Sequence, residues 1–372
     1  MKNKIGLYIH IPFCRKICNY CDFYKRVSSK ENQIKYVDYL IKDLMLNIKP
    51  YKTIYIGGGT PSSLELPVLS KLLKNINELF NISEVEEFTI EVNPEDINIE
   101  LINCLKKYKV NRISIGIQTF HERLCKYLGR YSVYEDIKTK ISLLKENGFD
   151  NINVDLMYGI ANESIKELEE DIDMMLSLNV NHISTYSLIL EEKTILYHQF
   201  QKGLFSLSNE DEERAMYDLI IEKLTSNDYL HYEISNFAKK TYESKHNVIY
   251  WSNEEYVGVG AGSSGYEDGY RYKNTTNLDK YYYGIDNNDK VFEENEFIDL
   301  NTKLWEEVML GLRMIKGISL DSFYQKYKIS IFDAFPKIEK LIKQGFLEIL
   351  DEKLKITDNN LYISNAILTK IM

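Results

Sequence analysis

The sequence predicts an α/β fold, a partial TIM-like (βα)6 barrel with extra strands and a small winged-helix-like domain at its C-terminal end. Three observations predict it. Short β-like runs alternate with longer helical patterns through the first 205 residues, the alternation fades into a Gly- and Tyr-rich stretch, and the segment from Asn301 to Met372 returns to helices with a short β ribbon. The organisation expected is a (βα)6 core over 1–205, an extension with a connector over 206–299, and a C-terminal domain over 300–372.

The six β-like runs are Ile5 to His10, Thr53 to Ile56, Phe88 to Val92, Arg112 to Gly116, Ile152 to Leu156 and His182 to Tyr186. Between them apolar residues recur at helical spacing. Ile165, Leu168, Ile172, Met175 and Leu176, for example, share a face in a segment otherwise rich in Glu and Asp. Parallel strands need such crossovers, and a curled sheet of this kind carries its site at the strands' C-terminal ends. A further helix, Glu210 to Leu224, leads into extra strands between Tyr229 and Tyr283, expected to close the barrel's side, with turn signals such as Glu267-Asp268-Gly269. An acidic, Asn-rich connector from Ile285 to Asp299 follows. The C-terminal domain lacks an obvious basic recognition face, so its winged-helix pattern points to a structural or lid role.

The net charge of -10 over 372 residues argues against general nucleic-acid binding, which needs clustered Lys and Arg. No apolar run approaches membrane-spanning length, and thiols without disulfide-framework spacing suit the cytoplasm.

The chemistry-bearing motifs of the core fall at strand C-terminal ends. After the first strand come Cys14, Cys18 and Cys21, spaced C-x3-C-x2-C. Three thiolates on one loop cap three irons of a four-iron cubane and leave the fourth open to a small molecule. A structural zinc site asks for four ligands, and the other cysteines, Cys104 and Cys125, stand alone in helical patterns and read as buried, inert thiols. The second strand ends in Gly57-Gly58-Gly59-Thr60-Pro61, a backbone cradle without the Gly-Lys-Ser/Thr ending of a phosphate loop. Glu91 ends the third strand and can accept from ribose hydroxyls, or simply be a solvated strand-end carboxylate. Gln118 at the end of the fourth and Arg130 beyond it offer an amide and a guanidinium for a carboxylate; Asp155 on the fifth adds an acid to the same rim. Taken singly these fit structural roles, and together they favour a site. Beyond the core, His246-Asn247-Val248-Ile249-Tyr250-Trp251 precedes a glycine run; a histidine in that setting can ligate haem iron or sit hydrogen-bonded in a core.

The order of the cysteine loop, the triple glycine, Glu91 to Pro94, Arg112 to Gln118 and Asp155 to Gly159 resembles the radical S-adenosylmethionine (SAM) superfamily. Within it the chain resembles the branch of oxygen-independent coproporphyrinogen III oxidases and HemW-like haem chaperones, over nearly its whole length. The resemblance implies that Cys14, Cys18 and Cys21 hold a [4Fe-4S] cluster whose open iron binds SAM, and that reduction splits SAM into methionine and a 5'-deoxyadenosyl radical. It places Tyr8, Tyr20, Gly58, Gly59, Thr60 and Glu91 at SAM-contacting positions. Gln118, Arg130 and Asp155 match positions around a second SAM in the oxidases.

Three features favour the chaperone. The oxidases resemble C-x3-C-x2-C-x-C, and this chain has Phe23 in place of the fourth cysteine; its cluster strand starts almost at Met1, without the oxidases' N-terminal extension; and residues 246–251 match the H-N-x-x-Y-W pattern of haem-binding members. Where relatives commonly show Gly-Ala-His, this chain has Gly262-Ser263-Ser264, which leaves His246 as the best single candidate for a haem ligand. The expected function is binding of haem as cargo and its transfer to haem-acceptor proteins, with a [4Fe-4S] cluster and SAM. The alternatives are oxidative decarboxylation of coproporphyrinogen III and radical modification of the haem ring. The expected location is cytoplasmic, with transient membrane docking compatible with the sequence.

Overall fold

The computed structural model describes residues 5–372. Strand and helix alternate from the start: β1 (Ile5–Ile11), α1 (Lys30–Met45), β2 (Tyr51–Gly58), α2 (Leu66–Leu79), β3 (Glu87–Val92), α3 (Ile99–Lys107) and β4 (Arg112–Gln118). They continue through α4 (Glu122–Leu128), α5 (Tyr134–Glu146), β5 (Ile152–Tyr158), α6 (Ile165–Ser177), β6 (His182–Ser187), α7 (Ile195–Gln201) and α8 (Glu210–Thr225). The six expected strands are all present and pair in parallel in the order β1-β2-β3-β4-β5-β6.

Their outward residues explain the helical covering. Leu7, Ile9, Ile54, Ile56, Phe88, Ile90, Ile113 and Ile115 are completely buried against the helices. On α6 the expected face is buried through Leu168, Ile172 and Met175, while Ile165 in the first turn stays exposed. A capping box, Ser164 with Glu167, starts that helix. Asp171 shares its buried face, where it accepts from Thr119 Oγ1 (2.6 Å) and the Phe120 amide (2.7 Å) and so ties the loop after β4 to the outer layer.

The extension departs from expectation. Its elements are β7 (Leu230–Glu233), β8 (Asn236–Ala238), α9 (Lys245–Trp251), β9 (Tyr256–Val259), β10 (Ser264–Glu267), β11 (Tyr270–Asn274), α10 (Leu278–Asp286) and β12 (Phe292–Phe297). The strands do not close the barrel. They lengthen it at both edges into one 12-stranded sheet, β12-β11-β10-β9-β1 on one side and β6-β8-β7 on the other, because β9 pairs with β1 and β8 with β6. The acidic connector is likewise corrected: it contains β12, an edge strand whose carboxylates face water and meet cations across the pair, as Glu293 meets Lys273 at 3.4 Å.

The remainder is α11 (Leu300–Gly311), β13 (Ile318–Ser319), α12 (Leu320–Tyr327), α13 (Ile331–Ala334), α14 (Lys337–Lys343), β14 (Leu347–Leu350), β15 (Lys353–Ile356) and α15 (Ser364–Ile371). Its strands form a separate sheet, β13-β15-β14, in the helix-then-ribbon order of a winged helix. No helix among the described residues is long and apolar enough to cross a membrane.

Candidate functional site

The inner face of the barrel is polar. Tyr8 and His10 on β1, Thr53 and Tyr55 on β2, Glu87, Thr89 and Glu91 on β3, Arg112, Ser114 and Gln118 on β4, Asn153 and Asp155 on β5, and His182 and Ser184 on β6 alternate with the apolar residues of the outer face. Helix α9 closes the floor. Glu87, at the start of β3, accepts from the amides of Lys245 (2.9 Å) and His246 (3.0 Å), which fixes the helix N-terminus at the base of the strands.

At the opposite end, the loop after β1 carries Cys14, Cys18 and Cys21, all part-buried and unbridged. Backbone bonds hold the loop on several sides: Cys14 N to Arg26 O (3.0 Å), Thr60 N to Phe13 O (2.7 Å) and Asn19 N to Leu128 O (2.9 Å). The glycine run fits against it. A Cβ at Gly59 would lie 2.7 Å from Phe13 O and 3.0 Å from Cys14 Sγ, and Gly58 adopts a φ of +118° that favours glycine. Thr60 Oγ1 donates to Cys14 Sγ (3.7 Å), and Arg130 Nη1 donates to Cys18 Sγ (3.6 Å) and to Asn93 Oδ1 (3.1 Å), with its other nitrogen on the Gly116 carbonyl. No group of three or more His, Cys, Asp or Glu among the described residues converges on a point for one metal ion. A cubane instead asks each thiolate for a different iron, and donors to two of the three sulfurs suit thiolate ligands. Burial pushes the Cys14 thiol up to about 11, so metal uptake there must displace a proton.

Glu91 accepts from Tyr55 OH (2.8 Å) and the Gly58 amide (3.1 Å), and burial raises its carboxyl to about 7. Asp155 is raised by the same cause and accepts from Asn153 Nδ2 (2.8 Å). Tyr20, Glu91, Gln118 and Asp155 line one cavity of about 520 Å³ together with Cys21 and Phe23. Gly58 adjoins it through its bond to Glu91, while Gly59 and Thr60 lie against Cys14 and Arg130 against Cys18.

A sequence profile described as the Radical SAM superfamily matches residues 8–175, and one described as the HemN C-terminal domain matches residues 298–363. The "Heme chaperone HemW" of Lactococcus lactis subsp. lactis (strain IL1403) is 38% identical, covering 98% of this chain and 96% of its own. The chain belongs to the HemW family of radical SAM proteins. The "Heme chaperone HemW" of Bacillus subtilis (strain 168) is also 38% identical, covering 97% of each chain. The solved structure of coproporphyrinogen III oxidase (HemN) from Escherichia coli, a radical SAM enzyme, superposes with a TM-score of 0.84 at 21% identity, covering 99% of this chain and 90% of that one, which is a likeness of fold. Membership of the superfamily implies a [4Fe-4S] cluster and SAM, and the three thiols, the Gly59 cradle and the donors to Cys14 and Cys18 fit them.

Two further expected residues do not line the 520 Å³ cavity. Tyr8 faces a second, larger cavity of about 870 Å³ beside β1, β9 and β10, whose wall Asp22 and Phe23 of the cysteine loop share with the first. Its hydroxyl meets His10 Nδ1 at 3.0 Å. His246, expected as a haem ligand, lies in the floor: its Nδ1 pairs with Thr53 Oγ1 (2.7 Å) and its Nε2 with Tyr250 OH (2.8 Å), and it is 1% exposed, so both ring nitrogens are engaged within the protein. Burial lowers it to about 3, which keeps it neutral. In the departure from Gly-Ala-His, Ser263 is buried and donates to Gly260 O (2.7 Å), while Ser264 lines the larger cavity.

Sequence reasoning missed Tyr55, Asn93, Arg112 and Asn247. The signal was present in Thr53-x-Tyr55-x-Gly57, Glu87-x-Thr89-x-Glu91 and Arg112-x-Ser114-x-Gly116-x-Gln118. Polar residues at every second position are unusual for parallel strands, which are ordinarily apolar on both faces, and they mark a lumen that holds something polar.

Proposed function

We propose that this chain is a haem chaperone of the HemW type, cytoplasmic, which binds haem and passes it to haem-requiring acceptor proteins. The observation that carries the reading is the 38% identity maintained over 98% of the chain to a relative named for that function. Phe23, where the oxidase pattern has cysteine, supports it; its ring is largely exposed between the two cavities.

In this reading Cys14, Cys18 and Cys21 hold a [4Fe-4S] cluster, which when bound supplies the electron for reductive cleavage of SAM. Tyr20, Gly58, Gly59, Thr60, Glu91, Gln118, Arg130 and Asp155 orient SAM. Arg130 contributes its charge beside Cys18, the glycines admit the ligand to the backbone, and Glu91 offers its carboxyl to hydroxyl groups. Haem as cargo takes the larger cavity, whose walls carry Tyr8, Tyr24, Tyr256 and Tyr266 for stacking on a macrocycle and Lys25 and Lys193 for its acidic edge.

Anaerobic turnover tests the function. Cluster-loaded protein is given SAM, a strong reductant and coproporphyrinogen III, and in parallel haem followed by an apo haem protein. SAM cleavage and haem transfer without porphyrin product is the expected result. Protoporphyrinogen formed at catalytic rates would assign the oxidase activity instead.

A further inference from the structure

Arg112 is among the largest fully enclosed side chains of the protein, 2% exposed, and it lines the 520 Å³ cavity. It forms no hydrogen bond or ion pair with the described residues, and its Nε is buried without a partner. A guanidinium is not lost to deprotonation, and burying one unpaired is costly, so such a group is retained where something anionic pairs with it.

The acids of the lumen do not serve. Glu91 and Asp155 both feel the Arg112 charge, which favours their ionised forms, yet neither reaches it: the oxygens of Glu91 are engaged by Tyr55 and Gly58, and Asp155 Oδ1 by Asn153. The neighbouring His182 and His246 are neutral, with both ring nitrogens of each engaged.

The position is deep. Arg112 opens β4 and stands in register with Thr89, two residues below Glu91, and the Thr89 hydroxyl is also buried without a partner. Asn247 of α9 lines the same cavity.

We propose that Arg112 is an anion anchor at the barrel floor, which binds the carboxylate of a ligand entering the lumen from the cluster end. The carboxylate comes from one of two sources, the amino-acid end of a second SAM molecule, beyond the one held on the open iron at the barrel mouth, or a propionate of a tetrapyrrole. The choice between them rests on the function proposed above; the anchor itself rests on the unpaired cation.

Cluster-loaded wild type, Arg112→Gln and Arg112→Lys are titrated calorimetrically with SAM, protoporphyrin IX and protoporphyrin dimethyl ester. The expected result is a loss of about tenfold or more in Arg112→Gln for one carboxylate ligand, with partial recovery in Arg112→Lys. A loss confined to SAM assigns the SAM source. A loss for protoporphyrin but not for its ester assigns the propionate. Unchanged affinities for all three ligands would overturn the anchor and leave the chaperone reading standing. Binding of neither SAM nor porphyrin by wild type would overturn both. If Arg112→Gln does not fold, Arg112→Lys with Thr89→Val decides: unchanged affinity in both refutes the anchor, and a selective loss supports it.

Discussion

Glu91 is one of two lumen carboxyls, with Asp155, that burial raises, and the one whose value nears neutrality. Its carboxyl is raised by burial to about 7, so between its ordinary value and 7 the folded protein holds a proton that the unfolded chain releases. Stability should therefore fall as pH rises through that window, by on the order of 3 kcal/mol from this group. Glu91→Gln should flatten the fall and make the SAM-free protein more stable at pH 8, while weakening SAM binding. Urea midpoints at pH 5 and pH 8 for both proteins check it; an unchanged pH profile in the variant would refute the assignment. A steric case stands one strand earlier. Because a Cβ at Gly59 would sit 2.7 Å from Phe13 O and 3.0 Å from Cys14 Sγ, Gly59→Ala must push the cysteine loop outward. Iron content and visible absorbance after reconstitution should drop in that variant, with the unfolding midpoint nearly kept, since the loop lies at the barrel mouth. Full iron loading of Gly59→Ala would show that the cradle tolerates a methyl group.

Helix α9 is where sequence and structure part most usefully. The pattern from His246 to Trp251 reads in sequence as a functional segment, but His, Tyr and Trp in sequence do not say which ring nitrogens have partners, and here Thr53, 193 positions away in the chain, takes one of them. The six core strands were legible because their outward faces are apolar and their spacing regular. The sheet extension was not, because pairing of β9 with β1 and of β8 with β6 is decided by long-range register, and β12 is too charged to read as a strand. The rim residues from Cys14 to Asp155 could be found by their places after strands; the polar alternation of β4 puts Arg112 in the lumen, but only burial without a partner sets it apart from its neighbours there. For α9 the expectation is now structural. His246→Ala should orphan Thr53 and Tyr250 and lower stability by about 2–3 kcal/mol, and any fall in haem binding should follow the unfolded fraction. Haem titration beside circular dichroism separates the two, and a folded variant with abolished haem binding would restore the ligand role. Because the ring is neutral and held near 3 in the fold, stability supplied by His246 should be complete above pH 6.5 and fade as pH falls through that range toward 3.

At the scale of the whole molecule, one curved sheet holds two cavities in series, and the cysteine loop is their common wall. Asp22 and Phe23 line both the lumen with Glu91 and Asp155 and the larger space with Tyr8 and Tyr256. The C-terminal domain completes the second: Glu306 of α11 forms a fork with Arg271 of β11, one arm at 2.8 Å, and Met309 and Leu310 line the space. A macrocycle there would touch the loop that carries the cluster, and the expected consequence is that occupancy of one cavity is felt in the other. Coupling of this kind is reciprocal: if SAM changes haem affinity by some factor, haem must change SAM affinity by the same factor. Haem titrations with and without SAM, and SAM titrations with and without haem, should return equal factors in wild type. Phe23→Ala, which removes the side chain shared by both walls, should bring the factor toward one while leaving each ligand able to bind alone. A factor already equal to one in wild type would mean that the two cavities act independently and that the cluster does not sense the cargo.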